Sequence, residues 1–153
     1  MIYLGGDHAG FKLKKEMADY LKSLGYKVAD LGNKKLEPKD DYPDYGFRVG
    51  QAAAATGDKG ILFCGSAEGV CIAANKVAGV RAVNPATVKL AKLSREHNDA
   101  NVLCLSGWYT KPAAAKKIIA VWLKTPFSGE ARHLRRIKKI SRFEKSCCCG
   151  ERK

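Results

Sequence analysis

The chain alternates short apolar runs with longer segments that repeat apolar residues at helical spacing. Five runs have the length and β-branched content of buried strands, and each ends near glycine or a polar residue. They are residues 2–4, 26–31, 60–64, 80–83 and 101–105. Strands that alternate with helices are typical of a parallel sheet covered on both faces. The sequence therefore predicts an α/β fold, a doubly wound, Rossmann-like five-stranded parallel sheet with helices on both faces.

Two of the intervening segments show helical spacing most clearly. Met17, Tyr20 and Leu21 share one face of a predicted helix between the first two strands, and residues 115–122 repeat the pattern after the last strand. A final helix is predicted from about Gly129. Because it follows the last strand, it is free to reach a neighbouring subunit, and we expect an extended C-terminal helix.

Length and composition favour a single globular domain. A chain of 153 residues with 46% hydrophobic residues can bury a core but leaves no room for a second domain. We expect one domain over residues 1–146 and a tail, 147–153, that contains three consecutive cysteines. No apolar run approaches the ~18 residues of a membrane span, and no signal-type segment follows Met1. We therefore expect a cytoplasmic protein without a membrane partner.

The other three cysteines, Cys64, Cys71 and Cys104, lie in apolar or glycine-rich surroundings. No pair of cysteines at zinc-ligand spacing is matched by a second pair, and the terminal triplet has no partner at ligand spacing. We expect neither a disulfide framework nor a metal site.

Positive charge is concentrated at the C-terminal end of the chain. The net charge is +13, and residues 131–153 hold nine Lys or Arg against two Glu. A basic helix can be a solvated face, a phosphate-binding element or a nucleic-acid patch. Charge alone does not choose among the three.

Polar clusters mark one candidate site. Residues 5–10 follow the first predicted strand, residues 65–69 follow the third, and residues 94–99 end the helix before the fifth. Ligands of such sheets bind beyond the carboxyl ends of the strands. We therefore expect these three clusters to converge on one edge of the sheet.

The second cluster, Gly-Ser-Ala-Glu-Gly at residues 65–69, opens a predicted helix through Lys76. Unpaired N–H groups at a helix N-terminus favour an anion, although many α/β proteins use such a loop only to turn. The same positive end would lower the pKa of Cys64. The alternative is that Cys64 is simply a small buried hydrophobe.

Several collinear motifs together resemble ribose-5-phosphate isomerase B, a family whose relatives include the subunits of galactose-6-phosphate isomerase. The resemblance covers about residues 1–145, in the order and spacing of that family. The motifs are DHAGF at 7–11 with Lys14 following, DYP at 41–43, GILFCGS at 60–66, IAANK at 72–76, GVRA at 79–82, LSREHND at 93–99 and RHLRR at 132–136.

The resemblance implies isomerisation of a phosphorylated aldose to a ketose through an enediolate, without metal or cofactor. It also implies a homodimer, or a tetramer, with sites shared between subunits and no nucleic-acid partner. Moving a proton between C1 and C2 requires a base that reaches both carbons, donors for an oxyanion, and an anion site for phosphate.

The resemblance also implies a role for individual residues. Cys64 matches the base, because the position of the alternative carboxylate is the apolar Val70 here. The remaining matches are Ser66, Gly65 and Gly69 for enediolate stabilisation, His97 for ring opening, Asn98, Asp7 and Tyr42 for sugar contacts, and His8, Arg132 and Arg136 for phosphate. Independently of the family, Arg132 and Arg136 are four residues apart, so one helical face presents both guanidinium groups.

Three positions depart from the family pattern. Trp108 stands where an arginine is common, and Ala67 and Glu68 stand where the glycine loop has glycine and a neutral residue. They leave open whether the sugar is a pentose or a hexose phosphate. A non-catalytic dimer that binds sugar phosphate or RNA through its basic tail is the alternative outside enzymes, and the retained Cys64 and His97 argue against it.

Overall fold

The computed structural model describes residues 1–148 and contains one five-stranded sheet in which every strand is parallel to its neighbours. The strand order is β2-β1-β3-β5-β4. The strands are β1 (Ile2–Gly6), β2 (Val28–Asp30), β3 (Lys59–Cys64), β4 (Ala82–Val83) and β5 (Val102–Ser106). All five predicted strands are present, so the α/β prediction is confirmed.

Helices cover both faces of the sheet, as predicted. Six of them occur within the described residues: α1 (Phe11–Ser23), α2 (Tyr42–Thr56), α3 (Glu68–Ala74), α4 (Val88–Asn98), α5 (Pro112–Lys124) and α6 (Ala131–Cys148). None of these helices has both the length and the apolarity required to cross a bilayer.

The core has two layers because successive residues of a strand point to opposite faces. On one face, Ile61 and Phe63 of β3 pack with the apolar sides of α1, α4 and α5, where Trp122 is fully buried. On the other face, Leu62 and Cys64 pack with α2 and α3. Cys64 therefore lies in the α2/α3 layer, at the carboxyl end of a central strand.

The turn between β1 and α1 lies directly against β3. The backbone N–H of Asp7 donates to the carbonyl of Phe63 at 3.2 Å, which extends the pairing of β1 with β3. A Cβ on Gly10 would overlap the Phe63 backbone, so only glycine allows this approach. The turn thus brings Asp7 and His8 beside the end of β3.

The C-terminal helix α6 packs at the β4 edge of the molecule. Its Glu144 accepts a hydrogen bond from the Gly79 N–H at 3.1 Å. Leu134, Ile140 and Phe143 remain 40%, 47% and 70% exposed along its length. The predicted extended helix is confirmed. Of the predicted tail 147–153, residues 149–153 lie outside the described part of the chain.

Candidate active site

A thiol and a carboxyl group meet at the carboxyl edge of the sheet. Cys64, the last residue of β3, has its Sγ 2.9 Å from Oδ2 of Asp7, the residue after β1. The other oxygen of Asp7 accepts the Gly10 N–H at 2.9 Å. Asp7 is 5% and Cys64 7% exposed. Two strands that pair in register therefore hold a hydrogen-bonded Cys–Asp pair.

The pKa of the Cys64 thiol is raised to about 12, first because burial disfavours the thiolate and then because of the hydrogen bond and charge of Asp7. The backbone N–H groups of Ala67 and Gly65 act in the opposite direction and are outweighed. The prediction of a lowered thiol pKa is therefore wrong for this chain. Sequence spacing showed the helix N-terminus but not the carboxylate in contact with the sulfur.

The glycine loop continues from Cys64 into α3. Its Ser66 is exposed, and the Oγ accepts the Glu68 N–H at 3.3 Å. Ala67 has a φ of 71°, in the left-handed region, although it carries a Cβ. The carbonyl of Gly65 accepts from the hydroxyl of Ser106 at the end of β5. The loop is thus held between two strand ends, with the Ser66 hydroxyl facing solvent.

Two aromatic rings flank this loop. A Cβ on Gly65 would lie 2.7 Å from the Trp108 ring, and one on Gly69 would lie 2.7 Å from the Tyr42 ring. Both rings are partly open to solvent, at 65% for Trp108 and 41% for Tyr42. The two glycines are therefore required for ring packing, and Trp108 lies at the same edge as Cys64.

The carboxylate of Glu68 is engaged by a neighbouring amide. Asn84, after β4, donates to Glu68 Oε1 at 2.8 Å. The same amide reaches the Ser66 carbonyl at 3.4 Å. The additional negative charge in this loop is thus hydrogen-bonded rather than left unpaired.

His8 extends this group of residues outward. Its side chain is 43% exposed, and its Nδ1 lies 2.7 Å from Oδ1 of Asp40. Asp40 did not stand out in the sequence, where it is one of two consecutive acids before a Tyr-Pro pair. The single chain therefore brings together Asp7, His8, Tyr42, Cys64, Gly65, Ser66 and Gly69 at one edge.

His97 and Asn98 lie elsewhere. They end α4, directly before β5, so they lie at the amino edge of the sheet. There the Asn101 carbonyl accepts the Gly60 N–H at 2.9 Å, four residues before Cys64 on β3. At about 3.3 Å per strand residue, the two edges are about 13 Å apart. The prediction that all three polar clusters converge is wrong within one chain.

The basic helix belongs to this second group. His133, buried on α6 between the two candidate arginines, has its ring centroid 4.3 Å from that of His97. Arg132 and Arg136 are exposed, and Arg132 Nε donates to Glu130 at 2.8 Å. The ring contact therefore joins α6 to the end of α4, and Arg132 and Arg136 are exposed on the helix that carries His133.

Among residues 1–148, no three or more His, Cys, Asp or Glu side chains lie close enough together to hold a metal ion.

Comparison with known proteins places this arrangement in context. Over residues 2–140 the sequence matches a family described as Ribose/Galactose Isomerase. The probable ribose-5-phosphate isomerase B of Mycoplasma genitalium is 45% identical over 146 residues, which covers 94% of this chain and 95% of that protein.

Solved structures agree with the sequence matches. Ribose-5-phosphate isomerase B from Mycoplasma genitalium with bound ribulose-5-phosphate has a TM-score of 0.90 and 44% identity, covering 94% of this chain and 95% of that one. The Clostridium thermocellum ribose-5-phosphate isomerase B has a TM-score of 0.92 and 44% identity, covering 95% and 98%.

Proposed function

Because the chain belongs to the ribose/galactose isomerase family, we propose that it interconverts D-ribose 5-phosphate and D-ribulose 5-phosphate through an enediolate. The observation that carries the proposal is the hydrogen-bonded pair of Cys64 and Asp7 beside an exposed serine loop. The relative from Mycoplasma genitalium, whose structure holds ribulose-5-phosphate, supports the choice of substrate.

Cys64 is the proposed base. A thiol whose pKa is near 12 is protonated at neutral pH, so it must first lose its proton, and Asp7 at 2.9 Å is the acceptor within reach. The transfer keeps the net charge of the pair constant inside a buried site. The thiolate then removes the proton from C2 of the open aldose and returns it to C1, while the hydroxyl proton of O2 passes to O1.

The glycine loop is the proposed oxyanion site. As the proton leaves C2, negative charge develops on O1, and hydrogen-bond donors placed there stabilise it. The Ser66 hydroxyl is exposed next to Cys64, and the N–H groups between Gly65 and Gly69 lie in the same loop. Tyr42 and Asp7 are proposed to contact the sugar, and His8 its phosphate.

We further propose that two copies of the chain complete each site. His97, which would open the sugar ring, lies at the edge opposite Cys64, so it can serve that thiol only from another subunit. Asn98, Arg132 and Arg136 would come with it to contact sugar and phosphate. The exposed apolar residues of α6 described above supply a surface that association would bury.

Trp108 is the position in this region that bears on the choice between a pentose and a hexose phosphate. Its ring packs against Gly65 and is 65% exposed, and the relative with bound ribulose-5-phosphate favours the pentose. An isomerase of a hexose phosphate is the second candidate, because Trp108 takes the place of a cation that the family pattern supplies.

An isomerase assay of the purified protein across pentose and hexose phosphates tests the substrate. We expect turnover of ribose 5-phosphate to exceed that of galactose 6-phosphate. Higher turnover of the hexose would make the second candidate correct. Tight RNA binding with a steep salt dependence, and no turnover of any sugar, would indicate a binding module instead.

The variant Cys64→Ala tests the base. Turnover should fall by about two to four orders of magnitude, as for loss of a general base, while competition by inorganic phosphate persists. Cys71→Ala is the matched control, since this partly buried thiol should affect stability more than rate. Turnover close to that of the unmodified protein in Cys64→Ala would rule out the assignment.

A further inference from the structure

Asp40 is a buried carboxylate with an unusually complete set of donors. Its Oδ1 accepts the backbone N–H of His8 at 3.0 Å and lies 2.7 Å from His8 Nδ1. Its Oδ2 accepts the Asn33 side-chain amide at 3.0 Å and the Tyr45 hydroxyl at 2.9 Å. The side chain is 6% exposed. A carboxylate so placed is costly to bury unless its oxygens are satisfied, and here both are.

The two bonds from His8 determine which ring nitrogen is free. An ionised carboxylate only accepts hydrogen bonds, so Nδ1 of His8 carries the proton that faces Asp40. Because the backbone N–H and the ring of His8 bind the same oxygen, the ring is held against the β1–α1 turn. Nε2 is then the nitrogen that faces away from Asp40, on a side chain that is 43% exposed.

The same contacts favour the charged form of His8. The pKa of His8 is raised, chiefly by the hydrogen bond to Asp40, with burial opposing and the charges of Asp7 and Asp40 adding to the effect. For Asp40, burial raises the pKa, but the hydrogen bonds from His8 and Tyr45 outweigh it, so the pKa is lowered. The contact therefore stabilises an imidazolium at His8 and a carboxylate at Asp40.

Asp40 is itself held in place by neighbouring elements. Lys14 of α1, 1% exposed, donates to the Asn33 carbonyl at 2.8 Å and to both oxygens of Asp30. Asn33 in turn donates to Asp40. Tyr45 of α2 is 4% exposed, and burial followed by Asp40 raises its pKa to about 12, so it stays a donor. Side chains locked in this way fix the geometry of the group they contact.

We propose that Asp40 is a positioning residue, which holds the His8 imidazolium so that its Nε2–H is available to the phosphate of the substrate. This inference rests on the proposed function, in which His8 is a phosphate ligand. Asp40 does not touch the substrate and acts only through His8.

The variant Asp40→Asn keeps the shape of the side chain but removes its charge. The pKa of His8, followed by NMR of the ring C–H signals and assigned with His8→Gln, should fall. Loss of a charge-assisted contact should raise KM for ribose 5-phosphate about ten-fold with kcat within about two-fold. The rise of KM with pH should begin at lower pH than in the unmodified protein. The phosphate of the substrate titrates identically with both proteins, so the comparison isolates His8.

Two controls separate positioning from mere stability. Tyr45→Phe removes one hydrogen bond from Asp40 but leaves its charge, so KM and the pKa of His8 should change little. The double variant of Asp40→Asn with His8→Gln should have the KM of His8→Gln alone, because Asp40 acts through that ring. Lowered stability with an unchanged His8 pKa and KM in Asp40→Asn would overturn the proposal.

A measurement on the unmodified protein covers the case in which Asp40→Asn does not fold. Above the pKa of His8, nitrogen NMR should show the neutral ring with its proton on Nδ1. A proton on Nε2 would overturn the proposal. Neither NMR experiment needs turnover. A lack of isomerase activity would therefore refute the proposed function, and the coupling between Asp40 and His8 would still be measured.

Discussion

The Cys64 thiol illustrates how a single residue contact can reverse an expectation drawn from spacing. A helix N-terminus stabilises a thiolate, but Cys64 is also buried and hydrogen-bonded to Asp7, and these two effects raise its pKa to about 12. In the proposed mechanism, the sulfur becomes a base only when Asp7 takes its proton. The reactivity of Cys64 therefore depends on its partner.

The variant Asp7→Asn should make Cys64 easier to alkylate and the enzyme less active. The amide carries no charge and can donate to the thiolate, so Asp7 no longer raises the thiol pKa and the thiolate fraction near pH 8 rises, while burial still acts to raise the pKa. The iodoacetamide reaction of Cys64, followed by peptide mass spectrometry, measures this.

The fully buried Cys104 serves as the internal control in the same digest. Its modification should not change between the two proteins. Equal or slower alkylation of Cys64 in Asp7→Asn would show that the carboxylate does not control the sulfur.

At the scale of elements, the strands were predictable because apolar β-branched runs are buried on both faces of the sheet. The ends of the strands were less predictable. Strand β1 continues to Gly6, and its last two residues are glycines, which have no side chains to form an apolar pattern. Residues 94–99 were predicted at the wrong edge of the sheet for a topological reason. A segment that precedes a strand lies at the amino edge. The polar side chains of this segment indicate a site, but the sequence does not indicate the edge at which they lie.

At Ala67, before the start of α3, an unfavourable backbone conformation opposes the favourable burial of a methyl group, and the balance can be measured. The left-handed φ of 71° at Ala67 costs about 1 kcal/mol for a residue with a Cβ, whereas its buried methyl contributes about 0.8 kcal/mol. Ala67→Gly should therefore change the free energy of unfolding by less than about 1 kcal/mol.

Ala73→Gly, within the same helix, is the matched control for Ala67→Gly. It loses a buried methyl and helix propensity together, so it should cost about 2 kcal/mol in urea denaturation. If both variants were destabilised equally, Ala67 would not be strained.

The C-terminal helix should tolerate loss of its last residues. A chain that ends after Lys145 keeps the contact of Glu144 with Gly79 and the whole exposed apolar row of α6. We expect its isomerase activity and its oligomeric state, measured by light scattering, to match those of the full chain.

A chain that ends after Ile140 is the comparison, because it lacks Phe143 and Glu144. It should show weaker association. Loss of activity and association already on ending after Lys145 would mean that residues 146–153 belong to the folded domain.

At the scale of the whole molecule, the residues proposed for one site fall into two groups within a chain. Asp7, Cys64 and Ser66 lie at the carboxyl edge, while His97 and Arg136 lie with the amino edge and α6. The motifs predicted the residues of both groups but not the distance between the groups, since motifs carry no distances. Two copies that face each other could complete two sites, and the symmetry of a dimer makes both sites equal.

Mixing two inactive variants tests most directly whether two subunits share each site. Cys64→Ala and His97→Ala, each inactive alone, should regain activity when unfolded together and refolded. A shared site predicts that each mixed dimer holds one intact site, so random pairing restores about a quarter of the normal ribose 5-phosphate isomerase activity. If both variants refold and form mixed dimers but no activity returns, the site lies within one chain and the proposal of a shared site is wrong.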